Sequence, residues 1–263
     1  MSEMGSTALS LLELTKEEYS KLPKEFAALL AVACHTGNEI RVVQGIYLSA
    51  YESKPSDEHA LQKWRIHTNT LARLLSAKSF EAIDGISGFR KRLEKSRSRN
   101  IALLKEISTI WTEIEILKNL DGYAISKFLR DYSTNHSLPA RALEFLPHGN
   151  EKFSKKLYFH RHEGDSFFPF GEATMFDCAI EDFAKQKDKT GTEVFLSWLD
   201  WTLKASRQMT HVLNTLSMHL VQDILPEKRF SEVIVHVEDE LSLTALDSRI
   251  PLFFTGTLDD TQT

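Results

Sequence analysis

The sequence predicts a mainly α fold: a bundle of long antiparallel helices with an aromatic-rich loop insertion and a short irregular or strand-like C-terminal tail. Three observations predict it. Apolar residues recur every three or four positions over long stretches of the chain. Short breaks containing Pro, Gly, Ser or Asp separate these stretches, which favours helices that fold back on one another. One run with strand character lies near the C-terminus, at 232–237.

The periodic stretches define the helices in order, at about 24–51, 57–93, 100–120, 123–129, 174–185 and 191–225. Pro23 suits the start of the first helix, because its missing N–H is not needed in the first turn. Ser56 or Asp57 can cap the second. Thr190 and Glu193 have the spacing of a capping box at the start of the last helix.

The domain organisation follows from these stretches. We expect a loose N-terminus (1–13), a single helical-bundle domain (14–226) and a C-terminal extension (227–263). Residues 131–172 are rich in Pro, Gly and aromatic residues, and we predict an insertion at about 146–172. Loops of this length are often functional.

Composition excludes several classes of protein. The apolar and charged fractions, 42% and 26%, are ordinary for a globular chain of 263 residues. A net charge of −5 argues against a broad basic surface for nucleic acid, although a small basic cleft is compatible with it. No apolar run approaches the length of a membrane span, and the N-terminus lacks the features of a signal peptide. We therefore expect a cytoplasmic protein, with Cys34 and Cys178 as reduced core thiols.

The most informative motif is Arg130-Asp131, followed by four residues and His136. Arginine can hold a phosphate through two hydrogen bonds, and histidine can transfer a proton near neutral pH. On an unbroken α-helix the two side chains would lie about 120° apart. The polar residues between them are weak helix formers, and Pro139 disfavours helix just beyond them. We therefore expect a helix end or kink inside the motif, which could bring His136 back toward Arg130.

This motif resembles the signature of HEPN domains (higher eukaryote and prokaryote nucleotide-binding), in which an Arg and a polar residue precede a His at the end of a helix in a bundle. The resemblance covers roughly residues 24–225. It implies a metal-independent endoribonuclease in which two protomers bring two motifs to one cleft. By this resemblance His136 would transfer the proton at the ribose 2′-OH, Arg130 would stabilise charge on the scissile phosphate, and Asp131 would orient them.

The resemblance leaves two alternatives open. Many members of the superfamily are inactive, so a non-catalytic binding or regulatory module that acts as a dimer is an alternative function. Arg130 could also form a surface salt bridge in a helix-ending turn and have no catalytic role. For the active alternative, a toxin or defence effector, we expect a homodimer, RNA as substrate, an antitoxin protein as a candidate partner, and no cofactor or metal.

Further candidate residues lie outside the motif. Asn38 and Arg41 are spaced to lie near one face of the first long helix, where they could line a cleft with Arg130 or simply form a solvated face. We take Asn135, Asn38, Arg41 and Arg161 as the candidate substrate-binding residues. Basic residues beside aromatic ones, such as Arg161 in the insertion, can grip single-stranded nucleic acid. A helical protein of another family, with its site in 146–172, is the remaining alternative.

The insertion also contains a histidine-rich stretch at 160–165 that superficially resembles the start of a cupin metal motif. A cupin needs strands on both sides of this motif, which the flanking sequence does not supply, so we predict a polar loop. A Gly-rich phosphate loop, a Cys-x-x-Cys pair, a His-Glu-x-x-His helix and a Gly-x-Ser-x-Gly elbow are all absent from the sequence.

Overall fold

A computed structural model of the chain describes residues 5–95, 101–134, 143, 155–159, 166–224 and 231–237. Its helices are α1 (Lys16–Lys21), α2 (Lys24–Glu52), α3 (Glu58–Lys95), α4 (Ile101–Lys118), α5 (Asp121–Leu129), α6 (Pro169–Glu172), α7 (Cys178–Gln186) and α8 (Gly191–Ile224). Two π-helical turns, Arg130–Thr134 and Ala173–Asp177, follow α5 and α6. The strands are β1 (Gly5–Leu11) and β2 (Ser231–Val237).

The prediction of a bundle of long antiparallel helices is confirmed. Helix α2 runs antiparallel to α3, because Glu39 pairs with Lys78 while Ala50 accepts a hydrogen bond from Trp64, further toward the start of α3. Helix α4 runs antiparallel to α8 in the same way, since Glu113 contacts Gln208 while Leu117, further along α4, accepts a hydrogen bond from Trp201, nearer the start of α8. Helices α3 and α8 pack on each other, and both α2 and α5 pack on this pair.

The core forms two clusters of buried apolar side chains. The larger one joins α2, α3, α4 and α8, with Ile40, Leu75, Ile107 and Leu216 among its buried members. The smaller one lies where α5, the second π turn and α7 meet α8. The capping box predicted for α8 is also present, because Thr190 Oγ1 accepts from the Glu193 N–H and the Glu193 carboxylate accepts from the Thr190 N–H.

The break between α4 and α5 lies earlier than the sequence suggested. The chain is extended at Leu120, and Asp121 and Gly122 are the first residues of α5 and not the interruption itself. A Cβ on Gly122 would lie only 2.1 Å from Cβ of Trp201 on α8. The glycine is therefore required by the close approach of two helices, which presses the start of α5 against α8.

The N-terminus is the clearest correction to the predicted organisation. We expected residues 1–13 to be loose, but Gly5–Leu11 forms a strand that pairs antiparallel with Ser231–Val237. Leu9 lies opposite Val233 in this two-stranded sheet. The strand-like character of the C-terminal tail is confirmed. Its partner was missed because the pairing joins segments from opposite ends of the chain, which local sequence patterns do not reveal.

The insertion ends earlier than expected, because α6 begins at Pro169, which occupies the favoured first position of a helix. Just before it, Tyr158 and Phe167 form an isolated antiparallel bridge, and their rings stack with centroids 4.4 Å apart. None of the helices in the described ranges has both the length and the apolar character needed to cross a bilayer.

Candidate functional site

The motif arginine lies where α5 changes its hydrogen-bonding pattern. The α-helix ends at Leu129, and residues Arg130–Thr134 continue it as a π turn. Single π turns within helices are rare and are frequent at functional sites. The local sequence favours such a change, because Asp131, Ser133 and Thr134 compete for backbone hydrogen bonds. The α-helical pattern therefore stops at the first residue of the motif.

Two contacts fix the guanidinium of Arg130. Its Nε and Nη2 groups donate to Oδ1 of Asp131 at 3.1 and 2.9 Å. Its flat face lies over the ring of Phe80 on α3, with the guanidinium carbon 4.7 Å from the ring centroid. The Arg130 side chain is 25% exposed to solvent. Arg130 is thus oriented by its neighbours while part of the group still faces solvent.

Aromatic packing holds the π turn against the bundle. Phe128 stacks on Tyr132 with centroids 4.2 Å apart and packs edge-on against Phe183 of α7. Leu129, between them in sequence, is fully buried. These rings join the last turn of α5 to the π turn across the change in helical pattern. The backbone at Arg130 is therefore attached to a packed part of the protein.

A second layer of aromatic rings supports Phe80 itself. Its ring stacks on Tyr123 with centroids 4.9 Å apart, and Tyr123 packs against Trp201 of α8. Burial raises the pKa of the Tyr123 hydroxyl, which the nearby Asp84 carboxylate raises further. The stack therefore connects Arg130 to the centre of the bundle.

Three of the predicted site residues lie outside the described residues: Asn135, His136 and Arg161. The same holds for the histidine-rich stretch at 160–165. The predicted return of His136 toward Arg130 therefore stays a prediction. Among the described residues, no group of three or more His, Cys, Asp or Glu side chains is arranged to hold a metal ion.

The structure does not join the other predicted substrate-binding residues to Arg130. Asn38 and Arg41 are exposed on α2, and Arg41 donates to Oδ1 of Asn214 on α8. Arg130 instead lies over Phe80 of α3, and it shares no described contact with Arg41. Arg41 therefore joins α2 to α8, whereas Arg130, at the end of α5, contacts α3. Both Asn38 and Arg41 lie on the exposed face of α2, and their role in substrate binding stays a prediction.

A second candidate site, which sequence reasoning missed, is a cavity of about 560 Å³ between α2, α3, α6 and α8. Tyr47, Tyr51, Trp64 and Phe195 supply its aromatic walls. Its polar lining includes Gln62, Arg65, Asn69, Glu172 and Asp177. We refer to it as the aromatic cavity. Its volume lies within the range of small-molecule sites in proteins.

The acidic end of the aromatic cavity is built by the end of α6 and the second π turn. Glu172 accepts two hydrogen bonds from Arg73 of α3, at 2.5 and 3.1 Å, and both side chains are nearly buried. The Arg73 guanidinium also lies over the ring of Phe176. Asp177, at the end of the turn, is half-buried, and burial together with the neighbouring Glu172 raises its pKa to about 7. It therefore exchanges a proton near neutral pH.

No sequence signal identifies this second site. Arg73 and Glu172 are separated by 99 positions. Glu172 and Asp177 are five residues apart, a spacing that an α-helix does not place on one face but that a π turn brings together.

No known protein family, curated protein or solved structure matches the chain. Function is therefore argued from the residues and their surroundings.

Proposed function

We propose that the chain is a HEPN-like, metal-independent endoribonuclease that acts in the cytoplasm, with Arg130 and His136 as its catalytic residues. The observation that carries the proposal is the position of Arg130: a partly exposed guanidinium at a π turn, held on one face by Phe80 and on one edge by Asp131. The helical bundle around it is the fold that the motif's resemblance implies.

The contacts of Arg130 suit it to bind a phosphate. Asp131 occupies the edge formed by Nε and Nη2, and Nη1 has no hydrogen-bond partner among the described residues. A fixed guanidinium loses little conformational entropy when it forms further hydrogen bonds. Lys127 is exposed one helical turn earlier and supplies a second positive charge on the same side of α5. The two cations provide a local basic surface on a protein of net charge −5.

The reaction needs a proton acceptor for the ribose 2′-OH and a cation for the charge on the phosphate. In this proposal His136 takes the proton and Arg130 stabilises the negative charge while the 2′-oxygen attacks the adjacent phosphorus. The bond from phosphorus to the 5′-oxygen breaks, and the departing oxygen takes up a proton from water. Asp131 is a positioning residue, because its carboxylate fixes the plane of the guanidinium. A toxin or defence role, a homodimer and an antitoxin partner are parts of the same proposal.

The test is cleavage of a single-stranded RNA in the presence of EDTA. We expect cleavage by the wild-type protein and its loss in both Arg130→Ala and His136→Ala. The same RNA with 2′-O-methyl groups should resist cleavage, because it lacks the hydroxyl that His136 would deprotonate. Cleavage that survives both substitutions contradicts the proposal. A monomer by light scattering would contradict the dimeric part of it.

A further inference from the structure

The aromatic cavity has the features of a ligand site that is independent of the ribonuclease proposal. Tyr47 and Tyr51 stack with centroids 6.0 Å apart, and Tyr51 lies at the same distance from Trp64. Phe195 lines the cavity from α8. Several aromatic faces around one space attract a positive charge, because the face of an aromatic ring is its negative side.

The polar groups of the cavity favour a ligand that donates hydrogen bonds. Gln62 lines the cavity, and its Oε1 is buried without a hydrogen-bond partner among the described residues. Such an orphaned acceptor is unfavourable unless a ligand or water donates to it. The indole N–H of Trp64 is already used, since it donates to the carbonyl of Ala50 at 2.7 Å. Asp177 adds a carboxyl group to the same lining.

The charges around Asp177 favour a cation over an anion. Arg73 has its charge neutralised by the two hydrogen bonds to Glu172. Arg65 also lines the cavity, but it is exposed to solvent, which screens its charge. The titratable and charged groups that face Asp177 or adjoin it come from α2, α3, α6 and α7: Tyr47, Arg65, Arg73, Glu172, Cys178 and Glu181. Once the Arg73–Glu172 pair is set aside, the lining holds Asp177 and Arg65, and the carboxyl group is the more buried of the two.

We propose that the aromatic cavity binds a small protonated amine, whose ammonium group donates to Asp177 and to Oε1 of Gln62 while its organic part packs between Tyr51, Trp64 and Phe195. The elevated pKa of Asp177, about 7 in the folded protein, means that binding of the cation displaces a proton near neutral pH. Binding is therefore tighter at pH 8 than at pH 6, as long as the amine itself stays protonated.

Isothermal titration calorimetry with benzylamine, benzyl alcohol and benzoate tests the proposal, because the three probes share a ring and differ in charge. We expect saturable binding of benzylamine at pH 8 and no comparable binding of the other two. At pH 7, titrations in two buffers of different ionisation enthalpy should show release of about half a proton per ligand. Equal binding of benzyl alcohol, or failure of benzylamine to bind, would overturn the proposal.

Two variants locate the binding. Asp177→Asn should weaken benzylamine binding about tenfold or more and abolish the proton release, since it removes a charge-assisted hydrogen bond. Asp200→Asn, at an exposed carboxylate paired with Lys204, is the matched control and should bind as the wild type does. If Asp177→Asn does not fold, Gln62→Met tests the same site and should weaken binding several-fold. An unchanged affinity in the folded variants would overturn the proposal, whether or not the protein cleaves RNA.

Discussion

The guanidinium of Arg130, at the end of α5, lies over the ring of Phe80 on α3 at 4.7 Å from the ring centroid. The same kind of contact occurs elsewhere in the bundle, where Arg90 lies over Trp111 at 4.1 Å and pairs with Glu94. Both arginines therefore have an aromatic ring on one face and a carboxylate on one edge. This pair of similar sites, only one of which belongs to the motif, provides an internal control for the proposed function.

Replacing the ring beneath Arg130 should reduce RNA cleavage. We expect Phe80→Leu to lower kcat/KM about two- to fivefold, the size of a lost cation–π contact, and to lower the free energy of unfolding by about 1 to 2 kcal/mol. The control, Trp111→Leu, removes the ring beneath Arg90 and should reduce stability without changing cleavage. Equal losses of activity in both variants would show that the effect comes from stability alone.

Adding a methyl group to Gly122 should destabilise the protein, because the new Cβ would lie 2.1 Å from Cβ of Trp201. We expect Gly122→Ala to lower the free energy of unfolding by about 1 to 3 kcal/mol, the usual range for overpacking. Gly45→Ala is the matched control, since its added Cβ would meet no atom within 4 Å beyond the adjoining residues and the backbone of α2 itself. That change should stabilise the helix by about 0.5 to 1 kcal/mol. Urea unfolding measures both, and a neutral Gly122→Ala would contradict the close packing.

The predictions that succeeded from sequence are those that local patterns determine. The three- and four-residue recurrence of apolar side chains located the long helices, and the Thr190–Glu193 spacing located the start of α8. These features depend on residues a few positions apart.

The features that sequence did not reveal depend on distant residues. The β1–β2 pairing joins Gly5 to Val237, the role of Gly122 depends on Trp201, and the aromatic cavity depends on contacts of α3 with α6. None of these partners lies within one helix turn of the other, so periodicity carries no information about them. The motif arginine was found from sequence, whereas its contact with Phe80 was not.

Asp177 should make stability fall as the pH rises. Its pKa is about 7 in the folded protein, raised from the 3.8 of an unperturbed aspartate, so the folded state binds more protons than the unfolded state between these values. Its contribution therefore destabilises the fold progressively from about pH 4 to pH 7, by roughly 4 kcal/mol at most. Asp177→Asn should remove this slope, as measured by urea unfolding at pH 5 and pH 8. Asp200→Asn should keep the wild-type slope, and an unchanged slope in Asp177→Asn would refute the assignment.

Breaking the Arg73–Glu172 ion pair should be strongly destabilising. Both side chains are nearly buried, so Arg73→Met leaves the Glu172 carboxylate without its partner and next to Asp177. We expect a loss of about 3 to 5 kcal/mol in the free energy of unfolding. The double variant Arg73→Met with Glu172→Met should recover much of this loss, because no unpaired charge remains. Failure of the double variant to recover stability would contradict this explanation.

The most direct test of the central claim compares Arg130→Ala with Arg90→Ala in RNA cleavage with EDTA present. The two arginines have the same kinds of contact, so their removal perturbs the bundle in similar ways. Our account predicts that Arg130→Ala abolishes cleavage and that Arg90→Ala cleaves at the wild-type rate, with both variants folded by circular dichroism. Wild-type cleavage by folded Arg130→Ala, or equal loss in both variants, would contradict it.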